Sequence, residues 1–406
     1  MVDKGARTYR THLPLPLICG LLITLILSLL LLNCSPVLAV DDAEPDFSWQ
    51  ETMSNLDLEM LESYKQNIDG EVNNYLEHKP IKEWFIDFVK GDWQFDLQEV
   101  VQNIISYFFK EVIANSGLLG KILILSVLAA LLINLQTAFA SSVARVSYLA
   151  CFLALCAIAL GSFKIVLQIG QNTIDTMVGF MIGMLPQMLV LVAGLGNINS
   201  SVMLFPILMT TATAFANAIK NIVFPLIIMS AILHMVNHMS ETIKVERLAS
   251  FFAKTAQVSL GFFLTVFVGI VSLRALYASV LDKVTLRTTR FITDNAIPVV
   301  GKMFSDTIEI AAGYVVMLKQ ALGIFGVVIV FGIIIFPLLK IAAIALIYKI
   351  TAAIAEPLGD ARTAAILETM SVHLFLMLAA VAAVGLMFFI MIAIIAAMSN
   401  SAIMMK

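Results

Sequence analysis

Two histidines one helical turn apart, His234 and His238, come nearer than any other residues of this chain to a catalytic spacing. Metalloproteases place imidazoles at i and i+4 so that both reach one zinc ion, with a glutamate directly after the first acting as general base. Met235 occupies that place here, so the pair is expected to sit at a membrane interface near a helix end. Cys151 and Cys156 could offer two thiolates to a soft metal, but both lie in the apolar run Val146–Leu160, where cysteine behaves as a small hydrophobe. Gly117-Leu118-Leu119-Gly120-Lys121 resembles a phosphate loop only superficially, since the G-x-x-x-x-G-K spacing and the following Ser or Thr are both missing. With no nucleotide motif and no nucleophile–base arrangement, neither catalysis, a cofactor, a metal nor a nucleic-acid partner is expected.

One repeated feature bears on transport. Phe-Pro recurs at Phe205-Pro206, Phe224-Pro225 and Phe336-Pro337, each followed by two aliphatic residues. Helices broken at such points build substrate sites in secondary transporters, so a self-contained permease with proline-broken helices is the alternative functional reading. Prolines are also ordinary in membrane helices, and the acids that a coupling site would use are few: Asp175, Glu309 and Glu368 fall near span ends.

The elements that position these residues are set by a sharp change in composition. From Val40 to Ser116 there are 17 Asp+Glu against 5 Lys+Arg, whereas Gly117–Lys406 holds only 10 acids and 17 basic residues between long aliphatic runs. The whole chain is 60% apolar and 13% charged, with mean hydropathy +0.95, where soluble domains average about 45–50% and about 25%. A soluble core has no use for that excess. The fold class is therefore mainly α: a polytopic helical membrane protein with a small acidic extracytoplasmic segment.

Ahead of both parts, Lys4, Arg7 and Arg10 precede the apolar stretch Leu15–Leu32, and Ser35-Pro36-Val37-Leu38-Ala39 follows it. Residues 1–39 are expected to be a secretory signal peptide cut after about Ala39, the alternative being an uncleaved first span. Residues 40–116 would then lie outside the cytoplasm, with no cysteine to pair. Within them Ile81, Trp84, Phe85, Phe88 and Val89 recur at helical spacing, and Gly91-Asp92 ends that helix. A second apolar stripe follows Asp96 and comprises Val100, Val101, Ile104, Ile105, Phe108, Phe109, Val112 and Ile113. Two such helices either cover each other, lie along the lipid interface, or dock a partner. Trp84, Phe85, Phe88 and Trp93 are the expected partner-binding residues, because so short a segment has too small a core to bury them all.

Residues 117–406 form the membrane domain, with six to nine spans. The stretch 321–355 poses a length problem, since one helix of that size would run about 52 Å against about 30 Å of hydrocarbon. A turn near Pro337, with Lys340 at it, is the expected solution, because a lysine at mid-bilayer costs about 2.5–3.5 kcal/mol. Lys244, Arg247 and Lys254 favour a cytoplasmic 239–255 loop, and the polar segment 282–306 carries Lys283, Arg287, Arg290 and Lys302 as well. Either 257–280 is re-entrant, or 282–306 is an exported amphipathic stretch. Arg287, Arg290 and Asp294 share one face if helical, and Pro298 should end that helix near Ile297. This segment is expected to be a gate or subunit contact, with a solvated connector as the alternative.

Three stretches taken together carry a family resemblance: Gly91-Asp92-Trp93 with LQEVVQNIISYFFKEVIANSGLLGKILIL at 97–125, TLRTTRFITDNAIPVVGKMFSD at 285–306, and FPLLKIAAIALIYKITAAIAEPLGD at 336–360. Together with the order of leader, acidic segment and spans, they resemble the stage III sporulation protein AE family of endospore formers. The resemblance implies a mother-cell membrane protein around the engulfed forespore. It would belong to the stage III A assembly, with other stage III A proteins including a separate secretion-type ATPase, and indirectly stage II sporulation protein Q. That assembly forms a channel or conduit supporting late forespore gene expression. The family brings no catalytic residues to carry over.

Overall fold

The computed structural model describes residues 97–139, 142–194, 198–239, 244–296 and 300–397, with side chains described except at 281–314 and at a few helix ends. All of them belong to the unit Trp49–Lys406, and among them there is no strand. The helices are α1 (Leu97–Ala114), α2 (Ser116–Phe139), α3 (Ser142–Gly194), α4 (Ile198–Ala218), α5 (Phe224–Met239), α6 (Glu246–Ala296), α7 (Val300–Ala355) and α8 (Ala361–Ala397). A π-helical turn at Ile219–Val223 joins α4 to α5, and a 3-10 turn at Glu356–Leu358 precedes α8.

Among the described residues, six helices are long and apolar enough to cross a membrane: Ser116–Leu135, Val146–Ala193, Met203–Met239, Glu246–Tyr277, Val315–Leu358 and Ala361–Ala396. The count falls at the low end of the six to nine expected spans, and the helices are longer than single crossings need. At 1.5 Å per residue the 44-residue stretch Val315–Leu358 runs about 66 Å, roughly twice the hydrocarbon thickness. Part of it must be tilted or stand beyond the lipid tails.

The expected turn near Pro337 is not there: α7 continues through Pro337, and Lys340 lies inside it. The bonding lost at one proline is small beside the packing available to an unbroken helix. Among the buried side chains of α7 are Phe325, Ile329, Val330, Ile333, Ile341 and Tyr348, within the same cluster as Met377, Val384, Met387, Phe388 and Ile392 of α8. Two glycines let these helices close up. A methyl group added at Gly326 would collide with Met184 of α3, and one added at Gly385 would collide with Ile334 of α7. Membrane helices associate through such small residues because lipid is as apolar as the side chains, which leaves packing to hold them together.

Helix α1 splits the predicted apolar stripe in two. Val100, Ile104, Phe108 and Val112 are half-buried, and Tyr107 packs edge-on to Phe336 of α7 with ring centroids 4.7 Å apart. Val101, Ile105, Phe109 and Ile113 are exposed along the other side.

Candidate functional site

The residues singled out in the acidic segment, Trp84, Phe85, Phe88 and Trp93, lie outside the described residues. Arg287, Arg290 and Asp294 fall within α6, whose last residue is Ala296, and Pro298 lies outside the described residues. Residues 257–280 belong to the same continuous helix, Glu246–Ala296. That removes the re-entrant alternative and leaves 246–255 and 282–296 at opposite ends of one helix.

The Phe-Pro dipeptides do not break their helices. Pro206 and Pro337 sit inside α4 and α7, and the hydroxyl of Thr210 donates back to the carbonyl of Pro206 at 2.6 Å. Around Pro225 the chain widens instead: the N–H of Phe224 reaches the carbonyl of Ile219, five residues back. Such π turns inside helices mark sites where backbone bonding has been re-routed. Within this turn Lys220 forms an ion pair with Asp175 of α3, with Nζ 2.6 Å from Oδ1. Both residues belong to helices long and apolar enough to cross a membrane, where each neutralises the other's charge.

Two polar clusters organise one end of the bundle. The first is the turn between α7 and α8. Gly359 takes φ +91°, a left-handed backbone that only glycine adopts without strain. Asp360 is buried and caps α8, its Oδ1 accepting the N–H of Thr363 at 3.0 Å and its Oδ2 accepting the Thr363 hydroxyl. Tyr148 of α3 donates its hydroxyl to the same Oδ1 at 3.2 Å, and Asn134 of α2 donates to the carbonyl of Leu358 at 3.3 Å. Four helices therefore meet at Glu356–Asp360. The local signal was present as Gly359-Asp360 followed by Thr363, a helix stop and an N-cap in sequence, but its partners Tyr148 and Asn134 had no such mark.

The second cluster contains His234. Its Nδ1 lies 2.9 Å from the carbonyl oxygen of Ser230, one turn back in α5. Ser230 is fully buried, and its hydroxyl oxygen is 2.8 Å from the carbonyl of Ala249 in α6 and 2.9 Å from Nε2 of His373 in α8. The two imidazoles meet edge to face with centroids 5.2 Å apart. His238 lies one turn further on, within electrostatic reach of Glu246 and Arg362. His234 is thus not an isolated interfacial residue; it belongs to an interhelical contact. Among the described residues no three His, Cys, Asp or Glu side chains gather as metal ligands would. Cys156 is buried and Cys151 half-buried within α3, and residues 117–121 form the first turns of α2.

Residues 80–399 match the family described as Stage III sporulation protein AE. Stage III sporulation protein AE of Bacillus subtilis (strain 168) is 36% identical over 358 residues, covering 88% of this chain and 90% of that relative. No solved structure matches.

Proposed function

The chain belongs to the stage III sporulation protein AE family, and from that membership we propose that it is a non-enzymatic membrane subunit of the conduit between mother cell and forespore. It works in sporulation, as the family does. The finer reading adds that it sits in the mother-cell membrane around the forespore. There it assembles with other stage III A proteins, including a separate secretion-type ATPase, and reaches stage II sporulation protein Q indirectly. The family match across residues 80–399 is the observation that carries this reading.

The architecture supports a passive subunit. Phe251, Val258, Phe262, Leu273, Leu276 and Val280 leave one side of α6 exposed, surface suited to lipid or to neighbouring subunits. Lys244 and Arg247, with Arg362 in reach of His238, gather positive charge at one end, which the positive-inside rule assigns to the cytoplasm. Residues 40–116 and 282–296 then face away from the cytoplasm, where contacts with forespore-side proteins are made. The permease alternative loses its main support, since the helices run unbroken through Pro206 and Pro337.

Deletion of the gene in the native organism tests the proposal. Forespores should engulf but fail to complete late gene expression, and complementation in the mother cell alone should restore them. Normal spores from the deletion strain would overturn it.

A further inference from the structure

The Ser230–His373 contact holds an unusual proton count. Backbone carbonyls only accept hydrogen bonds, a hydroxyl carries one proton, and a neutral imidazole carries one. His373 Nδ1 lies 2.7 Å from the carbonyl of Thr369, so it must carry a proton there. Its Nε2 lies 2.9 Å from Ser230 Oγ, and Ser230 Oγ lies 2.8 Å from the carbonyl of Ala249. The chain from Thr369 through His373 and Ser230 to Ala249 therefore has three links, while a neutral imidazole and a hydroxyl supply two protons between them.

His234 does not make up the difference. Its Nδ1 proton is taken by the Ser230 carbonyl at 2.9 Å, and it approaches Ser230 Oγ only at 3.3 Å. Without a third proton, lone pairs face each other across one contact of 2.8 or 2.9 Å, an arrangement that costs the desolvation of an unmade hydrogen bond in a buried place.

We propose that His373 and Ser230 form a proton-binding site between α5, α6 and α8, in which one proton on His373 Nε2 closes the hydrogen-bond chain. The proton comes from solvent hydronium: its O–H bond breaks as the N–H bond forms on the Nε2 lone pair, and a water molecule is left. Ser230 then accepts from His373 and donates to Ala249, and each of the three links has its hydrogen. Burying the imidazolium costs its desolvation, which is offset in part because both of its N–H groups are hydrogen-bonded. Loss of the proton leaves the Ser230 hydrogen to choose between Ala249 and His373, which loosens α5 from α6 or from α8.

The surroundings fit an approach from the bundle end. His234 and His238 follow Ser230 at i+4 and i+8 on one face of α5, and the His234 ring lies with its centroid 5.2 Å from that of His373. Glu246 of α6 and Arg362 of α8 bear on His238. From α7 the carbonyl of Ala345 is taken by Ser371, and Lys349 pairs with Glu368 on the exposed side. The site stands independently of the assembly proposed above.

Full-length protein labelled with 15N-histidine in lipid nanodiscs tests it. His373 is assigned by replacing His12, His78, His234 and His238 with Gln one at a time. Neutral His373 should be the Nδ1–H tautomer, set by Thr369, and should become doubly protonated as the pH is lowered to about 3, below the range of a free imidazole. Ser230→Ala should lower its proton affinity about tenfold, the loss expected for one charge-assisted hydrogen bond. Ser230→Thr, which keeps the hydroxyl, should titrate like the parent, as should Ser371→Ala. The proposal is overturned by an Nε2–H tautomer in the neutral form, by His373 staying singly protonated at about pH 3, or by an unchanged titration in Ser230→Ala. The first two readings need only the parent titration with the assigned His373 signal and do not depend on folding of the Ser230 variants.

Discussion

Tyr148 and Asp360 stand 212 residues apart in sequence, yet the tyrosine hydroxyl donates to the carboxylate at 3.2 Å inside the protein. The same carboxylate caps α8, so one side chain both starts a membrane helix and ties it to α3. Asp360→Ala removes the cap and strands a buried hydroxyl, which together should cost about 2–4 kcal/mol. Asp360→Asn keeps an oxygen for Tyr148 and Thr363 N–H and should cost less than half of that. Thermal unfolding in detergent compares the two; equal losses would show that the single Oδ1 acceptor does not account for the stability and that the full carboxylate is needed, while no loss in either would show that the cap and the Tyr148 contact contribute nothing.

Pro337 gives a test of helix continuity. Restoring an N–H with Pro337→Ala lets it bond the carbonyl of Ile333 within α7, so the variant should fold with an unchanged or slightly higher Tm. Were there a reverse turn at this point, the same change would disrupt it, and the protein would accumulate poorly in the membrane.

Asp175 and Lys220 should behave as a unit. An unpaired charge in hydrocarbon costs about 2.5–3.5 kcal/mol, so Lys220→Met alone and Asp175→Asn alone should each reduce the amount of inserted protein. The double variant should recover most of the loss. Single variants that insert like the parent would place both side chains in water, where such pairs are worth about 0–1 kcal/mol.

For Arg287 and Arg290 the proposal of a gate or subunit contact predicts function lost without loss of protein. Arg287→Ala with Arg290→Ala should lower spore yield at least tenfold while abundance on immunoblots stays normal. A yield near the parental value would leave the segment a solvated connector, since isolated surface charges contribute little.

The aromatic residues of the acidic segment are proposed to anchor a partner. Trp84→Ala with Phe88→Ala should abolish co-purification of the other stage III A proteins, because buried aromatics dominate interface energetics. Unchanged co-purification would remove these residues from the interface.

The membrane class, the helical content and the family were legible from residues alone, because each depends on local composition or on a run of neighbours. Apolar length marks a span without reference to anything distant, and the block at 285–306 is specific because it is polar where membrane sequence is repetitive. Where helices end was less legible. Pro337 reads locally as a break, and only the contacts of α7 with α3 and α8 outweigh one missing backbone bond. Ser230 and His373 are 143 residues apart, and neither spacing nor composition joins them. Sequence determined that this chain lives in a membrane and which family it belongs to; tertiary structure alone decided which polar groups meet there. The reason is that a buried hydrogen bond is set by where two helices cross, and a helix crossing leaves no periodic trace in either strand of sequence that makes it.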